Sequence, residues 1–270
     1  MFRLIMTFTD GSPESEKALP LAEQIASAQG AELVVVQVVD QPLVPIGRTG
    51  TPLAEDEARA YLTALEERLR REGVRVRTRL EHGPIAAALL DCEREEQPDL
   101  LVIATHGRTG LARFTMGSVA DRMVREGTAP VLVVRRSTTP STKLESAVVM
   151  LDGSGLGEAA LAVAESLAGR PLKSVTLFRA VAELEDRAAA QTYLDGASAR
   201  LAPSGVAVET IVDLGDPRFV AERAGKGRDI VILATHGRGG FDRWRHGSVA
   251  DYVVRFLDQP VLLVRVNEAR

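Results

Sequence analysis

The sequence has little cysteine, few aromatic residues and no long apolar run. Its one cysteine, Cys92, has no partner for an internal disulfide, and no set of thiolates is present to build a metal centre. We expect Cys92 to be a buried core thiol, because it lies beside Ala and Leu residues in a helical pattern. Aromatic residues make up only 4% of the chain, so the core has to consist of Ala, Val, Leu and Ile.

Neither sign of charge is in large excess. The formal net charge is −4, and the 33 basic and 37 acidic residues are interspersed, which excludes an extended basic surface for nucleic acid. No apolar run is long enough to span a membrane, and Met1 leads directly into an apolar strand pattern without the basic segment of a secretory leader. We therefore expect a cytoplasmic protein that binds neither nucleic acid nor membrane.

The most informative feature that the sequence does have is an internal repeat. Residues 104–118 read ATHGRTGLARFTMGS and residues 234–248 read ATHGRGGFDRWRHGS, at an offset of 130 positions. Such an offset in a chain of 270 residues favours two domains, which we place at residues 1–138 and 144–270. The segment between them is polar and contains proline, as a linker does.

Short apolar runs alternate with amphipathic stretches in both halves. This alternation predicts an α/β fold with two flavodoxin-like domains, each a five-stranded parallel sheet with helices on both faces. The predicted strands are 2–8, 33–39, 74–80, 100–104 and 131–134 in the first half and 147–151, 174–180, 207–212, 230–234 and 261–264 in the second. The first predicted helix spans Glu14–Gln29. The first half also carries the extra segment Gln41–Pro52, whose Pro, Gly and Thr content predicts a mobile flap.

In an open parallel sheet of this kind, ligands bind outside the carboxyl ends of the strands, where the strand order reverses. That place lies between the first and fourth strands of each half. The first strands end in Asp10-Gly11-Ser12 and Asp152-Gly153-Ser154, whose carboxylates are candidates to accept hydrogen bonds from ribose hydroxyls. The fourth strands end in the glycine loops, which lead to helix N-termini, where phosphate binds. Arg108 and Arg238 lie in these loops as candidate phosphate donors.

With these motifs, both halves resemble universal stress protein domains, whose pattern is Gly-x2-Gly-x9-Gly-Ser/Thr after the fourth strand, with Asp after the first. The resemblance covers nearly the whole chain as a tandem pair. It implies an adenine nucleotide alpha hydrolase-like fold, ATP as the ligand, with Mg²⁺ as its companion ion, and a role as a stress-response sensor or regulator. The implied ATP contacts are Asp10, Val38, Gly107, Gly117, Ser118 and Val119 in the first half and Asp152, Ala180, Gly237, Gly247, Ser248 and Val249 in the second.

The chain departs from that pattern at one position in each copy. Where the pattern has its first glycine, this chain has Ala104 and Ala234. Alanine adds a methyl group and disfavours positive φ, so binding suffers only if the position needs that space or that conformation. We expect reduced room for the ligand rather than loss of binding.

Other interpretations stay open. The glycines can serve tight packing in an interaction scaffold that binds no nucleotide. His106 and His236 have no Ser or Cys nucleophile in fixed relation to them, so we assign them no catalytic role. No residue stands out as a base to orient an attacking water molecule, so we expect slow ATP hydrolysis at most. We assign no metal ligand. We expect the two domains to pair through their last strands as an intramolecular pseudo-dimer. The sequence leaves open a homodimer and identifies no protein partner.

Overall fold

A computed structural model of the chain describes residues 1–40, 52–105, 116–135, 143–155, 157–236 and 249–266, with the backbone alone for 52–54, 236 and 266. The chain divides into two compact units, Phe2–Arg136 and Ser137–Arg270. None of the helices within the described ranges combines the length and the hydropathy of a membrane span.

The first unit contains a parallel sheet in the order β3-β2-β1-β4-β5. A short 3-10 turn, Ser15–Ala18, precedes its first helix. Its strands and helices are β1 (Leu4–Phe8), α1 (Leu19–Gln29), β2 (Glu32–Val39), α2 (Pro52–Arg71), β3 (Val76–His82), α3 (Ile85–Glu96), β4 (Leu100–Ala104), α4 (Ser118–Glu126) and β5 (Val131–Val134).

The second unit repeats this arrangement, with the parallel order β8-β7-β6-β9-β10. Its described elements are β6 (Ser146–Met150), α5 (Gly157–Leu167), β7 (Ser174–Val181), α6 (Arg187–Leu201), β8 (Ala207–Leu214), α7 (Pro217–Gly225), β9 (Ile230–His236), α8 (Val249–Phe256) and β10 (Val261–Val266).

Helices cover both faces of the sheet in the first unit, as the sequence predicts. Successive residues of a strand point to opposite faces. Thr78 of β3 donates a hydrogen bond to Glu66 of α2, whereas its neighbour Arg77 donates to Glu96 of α3. Because adjacent residues reach different helices, α2 and α3 lie on opposite faces. The α/β fold with parallel sheets is confirmed.

The core consists of aliphatic side chains, and Cys92 belongs to it. The central strands are fully buried at residues such as Ile5 and Leu101 in the first unit and Val148 and Ile232 in the second. Cys92 is 2% exposed, which confirms the expectation of a buried core thiol.

Two predicted segments differ in detail. The helix predicted from residue 14 begins as the 3-10 turn, and α1 starts only at Leu19, with Pro20 in its first turn, where a missing N–H costs no helical hydrogen bond. Pro52, which we assigned to the flap, is instead the first residue of α2, a position that suits its fixed φ. The rest of the predicted flap, residues 41–51, lies outside the described residues.

Candidate functional site

The strand order reverses between β1 and β4 in the first unit and between β6 and β9 in the second. In both units the carboxyl ends of these strands meet at one edge, where ligands of open α/β sheets bind. This edge therefore brings the turn that follows the first strand close to the end of the fourth strand.

The turn after β1 is held by its own polar groups. Asp10 Oδ1 accepts a hydrogen bond from the Ser12 N–H at 3.0 Å, and Gly11 has φ +75°, a conformation that favours glycine. Thr9 Oγ1 accepts from the Gly11 N–H at 3.0 Å, and Ser15 Oγ accepts from the Asp10 N–H at 3.2 Å. These bonds hold the Asp10 carboxylate at the lip of the crevice.

A cluster of buried hydroxyl groups adjoins this turn. Thr9, Ser12 and Ser15 are each at most 7% exposed. Thr9 Oγ1 lies 3.1 Å from both Ser15 Oγ and the Tyr61 hydroxyl, which in turn donates to Glu16 Oε1 at 2.6 Å. Burial, and then the bond to Glu16, raise the pKa of Tyr61 to about 12. Tyr61 therefore remains protonated at neutral pH and links α2 to the Asp10 turn.

The backbone of Val38 points toward the same crevice. The Thr9 N–H donates to the Val36 carbonyl at 3.0 Å, so Val36 directs its backbone groups toward β1. Since backbone direction alternates along a strand, Val38 directs its N–H and C=O to the same side. The register of β1 with β2 ends at Phe8 and Val36, so these groups of Val38 point past the end of β1.

The start of α4 is fastened to the end of β4. The Gly117 N–H donates to the Thr105 carbonyl at 2.8 Å, and the Thr105 N–H donates to the Val134 carbonyl of β5 at 2.9 Å. Gly117 is the N-cap of α4, and no side chain of the described residues caps this helix. The first N–H groups of α4, beginning at the exposed Ser118 and the half-buried Val119, therefore suit an anion.

The second unit repeats part of this arrangement. Asp152 Oδ1 accepts hydrogen bonds from the Ser154 N–H at 2.9 Å and the Ser154 hydroxyl at 2.6 Å. The Leu151 N–H donates to the Phe178 carbonyl at 2.9 Å, so by the same alternation Ala180 directs its backbone past the end of β6. Val249 begins the described part of α8.

The alanines that replace the first glycine of the pattern have strand conformations. Ala104 is the last residue of β4 and pairs with Val134, and Ala234 lies within β9 and pairs with Val264. Extended backbone is accessible to alanine, so neither position needs positive φ. Alanine could be unsuitable here because the position needs positive φ or because it lacks space for a methyl group. Only the second possibility is left.

The structure thus brings together, in the first unit, Asp10, Val38, Ala104, Gly117, Ser118 and Val119, and it describes Asp152, Ala180, Ala234 and Val249 in the second. The other predicted contacts, Gly107, Arg108, Gly237, Arg238, Gly247 and Ser248, lie outside the described residues, as does His106. Among the residues described, no group of three or more His, Cys, Asp or Glu side chains is arranged to hold a metal ion. The Mg²⁺ ion stays a prediction.

Comparison with known proteins follows the same division into halves. The model of the universal stress protein family matches residues 1–135 and again residues 144–265. A universal stress protein of Mycobacterium tuberculosis is 27% identical over 287 residues, which cover 97% of this chain and 96% of that protein. Another, of Methanocaldococcus jannaschii, is 32% identical over 142 residues, which cover 50% of this chain and 84% of that protein.

A solved structure shows the same fold along the whole chain. The crystal structure of a universal stress protein from Archaeoglobus fulgidus has a TM-score of 0.77 and 18% sequence identity with this chain. The similarity covers 97% of this chain and 98% of that one.

Proposed function

The chain belongs to the universal stress protein family, as two consecutive domains, and on that premise we propose that it binds ATP and acts as a stress-response sensor or regulator. The observation that carries the proposal is the hydrogen bond from the Gly117 N–H to the Thr105 carbonyl. It fastens the N-terminus of α4, which no side chain of the described residues caps, to β4. The strand β4 lies next to β1, and the turn after β1 carries Asp10.

The residues at this edge match the three parts of an adenine nucleotide. The backbone N–H and C=O of Val38 suit the edge of a base, and the carboxylate of Asp10 suits ribose hydroxyls. The first turn of α4, from Gly117, suits the phosphates, because its N–H groups and the helix dipole favour negative charge. The corresponding positions in the second unit are Ala180 and Asp152, and the proposal covers binding in one or both units. Mg²⁺ would bind through the phosphates.

The proposed role is binding rather than fast catalysis. Among the described residues, we identify no side chain at this edge that is placed to orient an attacking water molecule, so ATP hydrolysis should be slow at most. Bound ATP would be a negatively charged ligand that joins the strand ends to α4. A partner would detect whether ATP is bound or absent.

The test is nucleotide binding by the purified full chain. After removal of carried-over nucleotide, we expect millimolar ATP with Mg²⁺ to raise the melting temperature, since a ligand at 100 times its dissociation constant stabilises the fold by about 2.7 kcal/mol. Mass spectrometry of the nucleotide released from freshly purified protein identifies the ligand independently, and inorganic triphosphate is the control for nonspecific anion binding. Absence of both bound nucleotide and an ATP-specific shift contradicts the proposal and favours the interaction scaffold.

A further inference from the structure

The two crevices differ at one position close to the proposed ligand contacts. Asp10 and Val38 correspond to Asp152 and Ala180 at the same offset of 142 positions. The residue before Val38 is Gln37, and the residue before Ala180 is Arg179. A neutral amide in the first unit is therefore replaced by a cation in the second.

Arg179 extends from β7 over the turn that carries Asp152. Its guanidinium lies so close to Gly153 that a Cβ on this glycine would be 2.6 Å from Nη1 and 2.8 Å from Cζ. The same Cζ lies 5.3 Å from the centre of the Tyr193 ring on α6, within the range of a cation–π contact. Arg179 therefore lies between Tyr193 and the turn that carries Asp152, the residue proposed to face the ribose.

Gln37 places an uncharged amide at the equivalent position of the first unit. It is 8% exposed, and its buried Oε1 has no hydrogen-bond partner among the described residues. A buried acceptor without a partner destabilises the fold, and a ligand that brings a donor relieves this cost. Among the described residues, no group satisfies this oxygen beside Val38 in the first unit, whereas in the second unit the Arg179 guanidinium lies against the Asp152 turn.

The two turns also differ in their support. In place of Thr9 and Ser15, which hold the first turn, the second unit has Leu151 and Gly157, which carry no hydroxyl. Ser12 is buried at 5% exposure, while Asp152, Gly153 and Ser154 are all exposed. The Asp10 turn is therefore the more rigidly prepared of the two.

We propose that the two sites are unequal: the first unit binds the nucleotide, and in the second Arg179 occupies the crevice in place of a ligand. This inference rests on the proposed function and adds to it a stoichiometry of one nucleotide per chain. Gln37 and Arg179 are then the residues that determine which crevice is open.

The test exchanges these two residues in the full-length protein. Bound nucleotide per chain is measured by equilibrium dialysis with labelled ATP and by quantifying nucleotide after acid release. We expect one per chain in the wild type, two in Arg179→Gln, and a loss of at least tenfold in affinity at the first site in Gln37→Arg. As a matched control, Arg223→Gln on α7 removes a positive charge from the surface pair with Asp213 of β8 and should leave one nucleotide bound.

The possible results separate this inference from the proposed function. Two nucleotides in the wild type, or a count that stays at one or falls in Arg179→Gln, overturn the inference while ATP binding itself stands. The Arg179→Gln result is sufficient for this even if Gln37→Arg, which buries a charge, does not fold. No nucleotide in either the wild type or Arg179→Gln removes the proposed function and the inference together.

Discussion

The hydroxyl of Tyr61 donates a hydrogen bond of 2.6 Å to Glu16 Oε1, and this bond joins α2 to the turn that follows β1. The second unit has the same pair, with Tyr193 donating to Glu158 at 2.7 Å. Seven residues further along each helix, an ion pair repeats as well. These pairs are Arg68 with Glu23 at 3.1 Å and Arg200 with Glu165 at 2.7 Å. Each unit therefore fastens its second helix to the segment that follows its first strand by the same two polar contacts.

Removal of either tyrosine hydroxyl should weaken the fold. We expect Tyr61→Phe and Tyr193→Phe each to lower the free energy of unfolding by about 1 kcal/mol, because a partly buried hydrogen bond to a carboxylate is lost. Urea denaturation at pH 7 measures the change. The third tyrosine, Tyr252, is the matched control, since its hydroxyl makes no hydrogen bond to the described residues and its ring packs against Phe219 and Phe256. A loss in Tyr252→Phe as large as in the other two would contradict the assignment.

Cys92 should resist thiol reagents in the folded protein. Burial raises the pKa of this thiol from 9.0 to about 12, so almost none of it is the reactive thiolate at pH 8. We expect alkylation by iodoacetamide at pH 8 to be at least 100-fold slower in native than in denatured protein. Because the chain has one cysteine, the mass of the intact protein reports this site alone.

The sign of the pH effect of Cys92 follows from the same shift. The fold favours the protonated thiol, so its contribution to stability is complete below pH 9 and is lost as pH rises from 9 toward 12. Rapid labelling of the native protein at pH 8 would show that Cys92 is accessible and that this account is wrong.

Glu96 should stabilise the first unit at neutral pH and cease to do so in acid. Hydrogen bonds from Arg77, and then from Arg79, lower the pKa of Glu96 to about 2. Its contribution is therefore present above pH 4.5 and lost as pH falls toward 2. We expect Glu96→Gln to cost about 1 to 2 kcal/mol at pH 7 and only a small part of that at pH 2, measured by denaturation across this range.

Glu95 supplies the control for Glu96. Its carboxylate receives one hydrogen bond from Arg79 and its side chain is 63% exposed, so the change in Glu95→Gln should stay below about 0.5 kcal/mol at pH 7. An equal effect of the two substitutions, or a Glu96→Gln effect that persists in full at pH 2, contradicts the proposed cause.

Substitutions at two glycines should separate effects on ATP binding from effects on stability. Gly117 has φ −60° and ψ 153°, which alanine adopts without strain, so Gly117→Ala should keep the melting temperature within a few degrees. The added methyl group should weaken ATP binding because it crowds the start of α4. Gly30 ends α1 with φ +65° and no atom within 4 Å of an added Cβ. Gly30→Ala should therefore cost about 1 kcal/mol of stability and leave ATP affinity unchanged. Isothermal titration calorimetry and thermal melts distinguish the two, and the reverse pattern would exclude Gly117 from the site.

Much of the fold follows from local sequence patterns. The strand β4, Leu100–Ala104, is predicted to the residue, because an apolar run bounded by Asp99 and the glycine loop has one clear interpretation as a buried strand. The start of α1 is less well predicted, because a 3-10 turn and an α-helix share the same composition. The predicted pairing of the two domains through their last strands stays a prediction.

The sequence by itself determined the α/β class, the tandem repeat and the Asp10 and Gly117 positions of the candidate site, since apolar periodicity and repeated glycine motifs are local properties of the chain. Only the tertiary structure decided that Tyr61 meets Glu16, that the Gln37 oxygen is buried without a partner in the part of the chain that the structure describes, and that Arg179 lies against Gly153. These contacts join residues 26 to 45 positions apart, and they depend on strand register and on how each helix packs against the sheet. Two halves with the same motifs can therefore form crevices with different chemistry.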